Sequence, residues 1–498
     1  MPRDTVASLV AEADAPGGLA LDEAARARMA GARATLAETA RRRPVYGLTR
    51  GFGPLAEWAA DPDTSRQGRH LLDHLTAGQG EFLPPRETRL MVWLRLRSMA
   101  LGLSGADPLA WERLAEQWNA GFVPAVPEDG SLSASGDLLP LAHAAQAAAG
   151  HGTAWTHDGE TWTTRASGEV LRDLRLSPVE WEARTALSFV NGTAAGLART
   201  MVNHLELTAL STAVLRTTAR IALLLGMSPE PFSDAVAQAR GHSGHQHAAR
   251  TIRHEIEAGD LMRSASRPLQ EPYSVRCAPQ VVGTVLDQLR LQESVLVTEA
   301  TGCTDNPIVH DDDVVHGGNF HAAPVAMVSE QYASCVHQVA YLAERQLAQV
   351  LDPAFTGGLP PMLAWRPGEN SGLAGVQMAA TSLLAAIRQH AYPASCTTVP
   401  SNLGNQDHTP LALNSANAVS TMLDRAWLVV GSLCHAVVQL GHHLGAPAPD
   451  EMWHELCASI APLTVDRPLS GEIRGVAAAV RHHSLTAPSP PHTMELPA

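Results

Sequence analysis

Five long stretches of this chain, at about 183–226, 278–298, 322–352, 371–391 and 411–444, carry apolar residues at helical spacing with few glycine or proline interruptions. At roughly 20 to 40 residues each, rich in Ala and Leu and apolar on more than one face, such helices must bury against one another. The pattern therefore predicts a mainly α fold: a long central helical bundle behind a smaller mixed N-terminal region of loops and helices. Apolar cover this broad also predicts burial between subunits, hence a homo-oligomer. From about 20 to 120 the helical patterns are shorter and separated by turns. One β signal stands out, Trp155 to Trp162, with Asp158-Gly159 at a hairpin turn. The pattern divides the chain into an N-terminal region 1–182, a central long-helix bundle 183–450 and, at 451–498, C-terminal helices with a flexible tail.

Composition narrows the function classes. With 17% charged and 45% apolar residues the chain is not a disordered one. A net charge of −14 speaks against nucleic acid or an anionic membrane as the main partner. The N-terminus lacks the apolar core of a signal peptide. The most apolar later run, Ala426 to Gly441, is interrupted by Ser432, His435 and Gln439, and falls short of the roughly 18–20 residues that span a bilayer. Six scattered cysteines without a CxxC pair suit a reducing cytoplasm. The chain contains no lysine, so all 36 of its strong bases are arginine. Pyridoxal phosphate cannot be held here as a Schiff base, and neither a lysine nucleophile nor a P-loop can be built.

Residues 119–143 read NAGFVPAVPEDGSLSASGDLLPLAH. A turn-rich stretch with Pro124, Pro127 and Gly130 delivers Ala134-Ser135-Gly136-Asp137 to the start of an apolar, helix-like run. Alone, small residues before an acidic one form the pattern of a helix cap. Six other segments accompany it in order: Val45-Tyr46-Gly-Leu-Thr-Arg-Gly-Phe-Gly53, Phe189-Val-Asn191-Gly-Thr193, Glu271-Pro-Tyr273-Ser-Val-Arg276-Cys-Ala-Pro-Gln280, Thr304-Asp-Asn306-Pro307, His316-Gly-Gly-Asn319-Phe320 and Asn405-Gln406-Asp407. Together they resemble the signatures of the histidine, phenylalanine and tyrosine ammonia-lyase family over roughly residues 40–470.

The resemblance implies a homotetrameric lyase that removes ammonia from an aromatic L-amino acid. Its electrophile, 4-methylidene-imidazol-5-one, would form autocatalytically from Ala134, Ser135 and Gly136, with no pyridoxal phosphate and no metal. The residue types suit that chemistry: minimal side chains let the Gly136 nitrogen reach the Ala134 carbonyl, and Ser135 can then lose water. Asp137 would assist the proton transfers. By resemblance Tyr46 is the general base for the β-proton. Working near neutrality would require its pKa to fall about 2–3 units from near 10. Arg276 clamps the substrate carboxylate, its planar fork suiting bidentate contact. Asn191 and Gln280 hold the prosthetic ring and carboxylate, and Tyr273 the amine side. Asn306, Asn319, Phe320 and Gln406 line the site.

The pair His74-Leu75 aligns with the family's substrate-selecting positions, where tyrosine-selective bacterial members carry His-Leu, phenylalanine lyases Phe-Leu and histidine lyases Ser-His. An imidazole can bond a phenol, which points to L-tyrosine and p-coumarate. A histidine or phenylalanine ammonia-lyase, a tyrosine 2,3-aminomutase and an inactive helical scaffold are the alternatives. Arg50, Thr301, Ala322, Ala386 and His408 depart from the family's usual residues, and Arg50 could favour a modified ring. Gly241-His242-Ser243-Gly244-His245 looks like a nucleophile elbow, but His245 stands where the last glycine belongs. His242, His245, His247 and His254 lack zinc-site spacing and read as a polar loop.

Overall fold

Every long helix expected from the apolar spacing is present, and the first of them is broken in two. The computed structural model describes residues 4–15, 17–258 and 267–486. The stretch expected at 183–226 forms Ala183–Val190 and Ala194–Leu225, separated at Asn191-Gly192-Thr193. The others are Ala278–Thr301, Ala323–Val350, Ala374–His390 and Ala412–Leu444. The mainly α class holds.

The described residues fall into two compact units whose boundaries lie within the long helices, except at Tyr392–Pro393, which follows the helix Ala374–His390. The first takes in Met1–Val202, Glu293–Glu330 and Pro393–Asn417; the second takes in Asn203–Gln292, Gln331–Tyr392 and Ala418–Ala498. In the first unit the helix Pro85–Ala100 is buried almost throughout, with Leu90, Met91, Trp93 and Leu96 at its centre. Helix Thr64–Leu75 packs on both Leu138–Ala148 and Ala183–Val190. Gly68 permits this approach, because a Cβ there would lie 2.6 Å from the Trp181 carbonyl oxygen. Short antiparallel strands close the unit, including the expected hairpin, Thr153–His157 with Trp162–Ala166. Its turn is fastened by Asp158, whose Oδ1 accepts from the amides of Glu160 and Thr161.

Two buried arginines pin the segments that carry the site. Arg95 donates through Nε to the Ser188 carbonyl (2.9 Å) and through Nη1 to Thr304 Oγ1 (2.9 Å). Arg184 pairs with Asp305 and donates to the carbonyls of Ser104 and Asn306. Buried charges persist only when paired or fully hydrogen-bonded, and both guanidiniums meet that condition.

The second unit is helical among its described residues, with Leu210, Val214, Val282, Val339, Val430 and Val437 in its core. By length and composition Ala183–Leu225 and Ala412–Leu444 would each suffice to cross a membrane. This corrects the expectation that the apolar run near 426–441 is too short, since the helix around it extends to 33 residues. Most of each apolar window, 72% and 78%, is buried within the protein, as in a core helix. All six cysteines are free. The tail expected after the helix Ser470–Thr486 lies outside the described residues.

Candidate active site

Ala134-Ser135-Gly136 forms the irregular turn before the helix Leu138–Ala148, and backbone contacts dictate its composition. Gly136 has φ +74°, and a Cβ there would lie 2.5 Å from the Gly192 carbonyl oxygen. Only glycine fits both the conformation and the space. Ser135 is held at two points. Its carbonyl accepts from Asn191 Nδ2 (2.8 Å), and its Oγ accepts from Gln406 Nε2 (2.8 Å). Asn191 Oδ1 in turn accepts from the Asn306 amide (3.0 Å), and Asn306 Oδ1 from the Gly317 amide (2.7 Å). The Asn-Gly-Thr, Asp-Asn-Pro and Gly-Gly-Asn segments are thus brought to one place with the triad.

Asp137 stands at the N-cap position of the helix Leu138–Ala148, yet its carboxylate does not cap that helix. This replaces the capping pattern suggested by the sequence. Asp137 Oδ2 instead accepts from the Gly196 amide (2.8 Å), in the first turn of Ala194–Leu225, while Oδ1 accepts from Ser131 and Ser133 Oγ (2.8 Å each). It serves as a cap from outside for the helix that follows the break. Thr193, beside that helix, gives its hydroxyl to Glu299 Oε1 (2.6 Å). Burial pushes both carboxyls upward, against those donors, and the charge of Asp137 adds to the shift at Glu299. Ser131 and Glu299 are site neighbours the sequence did not single out.

Tyr46 lies on a tight loop in which Val45 N donates to Thr49 Oγ1 (2.8 Å) and Tyr46 N to His316 Nε2 (3.1 Å). Its hydroxyl accepts from the Gly53 amide (2.8 Å), and its ring meets Phe52 edge-on at 6.2 Å. Here the structure departs from expectation. Burial pushes the phenol pKa above its ordinary value, and the Gly53 amide offsets only part of that. Arg50 donates to the Glu57 carbonyl (2.9 Å) and so ties the loop rather than adding a free charge.

Tyr273, Arg276 and Gln280 belong to the second unit. Arg276 stacks over the Tyr273 ring at 4.6 Å and has no ion-pair partner among the described residues; its buried Nε is also unpartnered. An arginine so placed is available to a carboxylate. Gln280 Nε2 lies 3.0 Å from His245 Nε2, and its buried Oε1 has no partner among the described residues. His245, His247 and His254 sit in the helix Ser243–Ala258, which corrects the polar-loop reading for these three, while His242 lies just before it. Nor is Ser243 a nucleophile served by His245, because its hydroxyl donates to Asp287 (2.9 Å).

His74 ends the helix Thr64–Leu75 with its side chain exposed, while Leu75 is buried. The His70 carbonyl lies 2.9 Å from His74 Nδ1, which places a proton there and leaves Nε2 free of that bond. Asn319 is exposed and donates weakly to the Cys303 carbonyl (3.4 Å); Phe320 is half-buried. Ala322 is buried, its amide on the Ser133 carbonyl (3.1 Å), and His408 lies against His321. Thr301 bonds back to its own helix, and nothing in the structure explains Ala386.

The model of the aromatic amino acid lyase family matches residues 5–458. The tyrosine ammonia-lyase of Cereibacter sphaeroides is 38% identical over 500 residues, covering 94% of this chain and 94% of that protein. Among solved structures, a tyrosine aminomutase from Streptomyces globisporus superposes with a TM-score of 0.88 at 29% identity, covering 97% of this chain and 96% of that one. Histidine ammonia-lyase from Trypanosoma cruzi gives 0.85 at 26% identity, covering 97% and 92%. With the Asn-Gly-Thr, Asp-Asn-Pro, Gly-Gly-Asn and Asn-Gln-Asp segments gathered around one Ala-Ser-Gly turn, these likenesses make the resemblance a finding: the chain belongs to the aromatic amino acid lyase family.

Proposed function

We propose that the protein removes ammonia from L-tyrosine and releases p-coumarate, using 4-methylidene-imidazol-5-one made from Ala134, Ser135 and Gly136. The observation that carries this reading is the cradle around the triad: a glycine with no room for a Cβ, a serine held at carbonyl and hydroxyl, and a buried carboxyl beside them. These residues fit the group, with Asn191 and Gln406 placed to hold it and Asp137 to move protons during its closure. Once formed, the group supplies an electrophile toward the substrate amine. Tyr46 takes the β-proton at its phenol oxygen. Arg276 holds the carboxylate, Tyr273 the amine side, and Asn306 steadies Asn191. Gln280 presents an amide oxygen, which suits an N–H partner better than the carboxylate. Asn319 and Phe320 line the pocket, and Leu75 gives it an apolar wall. The same reading makes the protein a cytoplasmic homotetramer whose sites draw on more than one subunit. A Tyr273 that is 72% exposed and an Arg276 without an ion pair among the described residues suit such completion.

The substrate assignment rests on His74 and on the tyrosine ammonia-lyase at 38% identity. An Nε2 acceptor takes a phenol proton and is left unpaired by phenylalanine. His74→Phe is expected to shift the ratio of kcat/KM values from tyrosine toward phenylalanine by about 100-fold. An unchanged preference, or wild-type turnover fastest on histidine, rejects the assignment. Arg276→Lys keeps the charge but loses the fork, and is expected to raise KM about 10- to 100-fold with a smaller change in kcat. Steady-state kinetics on tyrosine checks this.

A further inference from the structure

We propose that His245 is a positioning residue for this reaction: its imidazole decides which end of the Gln280 amide is left free for the substrate. The inference rests on Gln280 being a substrate-site residue. His245 is held in place by a close crossing of two helices. A Cβ on Gly283 would lie 2.6 Å from His245 Cα, so Ser243–Ala258 and Ala278–Thr301 touch there backbone to backbone. Asp287 locks the crossing, its Oδ1 accepting from Ser243 Oγ and the Gly244 amide at 2.9 Å each. His245 is only 2% exposed.

In this orientation the Gln280 amide nitrogen donates, so His245 Nε2, at 3.0 Å, accepts. That arrangement makes the ring neutral with its proton on Nδ1, which is buried without a partner among the described residues, and leaves as the free end of Gln280 its buried Oε1, likewise without a partner among them. That oxygen accepts an N–H, and the amine end of an amino acid supplies one. A second proton on the imidazole turns Nε2 into a donor. The amide must then rotate, and its free end becomes an NH2 that repels an ammonium. The charged groups around the ring are Arg240 and His242 before its helix and Asp287, paired with Arg290, on the neighbouring helix. Burial, Arg240 and His242 all hold His245 below the ordinary histidine range, so the neutral form prevails near pH 7.

The test is the pH dependence of kcat/KM for tyrosine in the full-length enzyme and three variants. In the wild type, a plot of log kcat/KM against pH is expected to steepen from slope one to slope two at a pH below about 6.5, where His245 gains its proton. His245→Leu removes the acceptor, so KM should rise about five- to tenfold at every pH, with kcat changed less than about threefold and the slope remaining one. His245→Gln restores an acceptor that does not titrate. It should recover most of the KM loss while still lacking the steep limb. Gln280→Leu should also raise KM and lose the limb with His245 intact, which keeps the test valid if His245→Leu does not fold. A steep limb retained in His245→Gln, or an unchanged KM in folded His245→Leu, overturns the inference. An unchanged KM in Gln280→Leu overturns instead the placement of Gln280 in the site.

Discussion

Replacing Tyr46 with phenylalanine is expected to lower kcat/KM by about a thousandfold or more, while leaving the protein folded and its prosthetic group formed. Removing a positioned general base typically loses 10²- to 10⁴-fold, and here the proton to be moved is barely acidic, which favours the upper part of that range. The variant keeps the edge-on contact with Phe52 and the loop bonds from Val45 to Thr49 and from Tyr46 N to His316. It loses only the oxygen that accepts from Gly53. The base form of a phenol increases with pH, so wild-type kcat/KM should climb toward alkaline pH. Burial raises the Tyr46 pKa within this chain, so any lowering needed near neutrality must come from groups outside the surroundings described above. Tyr46→Phe should abolish the climb and leave a small residue of activity that no longer rises toward alkaline pH. A pH profile recorded for both proteins checks this, and an alkaline limb surviving in the variant assigns the base elsewhere.

Ser135→Ala is expected to be more severe, because it removes the electrophile at its source. The variant has no hydroxyl to lose as water, and a chain without lysine offers no amine with which to replace the lost electrophile. A loss in kcat of about 10⁴-fold or more is expected, a large share of the rate enhancement an enzyme supplies. The fold should survive, since Ser135 Oγ does no more than accept from Gln406. Leaving that amide unpartnered costs about 1 kcal/mol. Intact-mass measurement separates chemistry from folding: the wild-type chain should be lighter than its sequence by two molecules of water, and the variant should match its sequence. Substantial activity in Ser135→Ala would remove the triad from the mechanism.

The long helices were legible because apolar spacing records burial directly, and burial is what stabilises them. The break at Asn191-Gly192-Thr193 was not, because the apolar pattern resumes in phase after three residues. Only the tertiary contacts show why it exists: Asn191 must reach the Ser135 carbonyl, and Gly192 must lie against Gly136. Asp137 could be read as a cap, but spacing cannot reveal that the helix it serves begins at Ala194. Arg95 and Arg184 were invisible for the opposite reason, since charged residues are ordinarily surface residues and these two are buried by design of the site. His245 was set aside with its neighbours because sequence shows which residues are polar and not which helix faces they occupy. The Tyr46 pKa was misjudged because chemistry demands a lowered value, whereas the local fold supplies burial.

The central claim is non-oxidative removal of ammonia from tyrosine, and the products of a single incubation test it most directly. Purified full-length protein should convert L-tyrosine to p-coumarate and ammonia in equal amounts, with little return of the amine to the β-carbon. Accumulation of β-tyrosine as the main product, or no turnover of tyrosine by protein whose mass shows the prosthetic group fully formed, would contradict it.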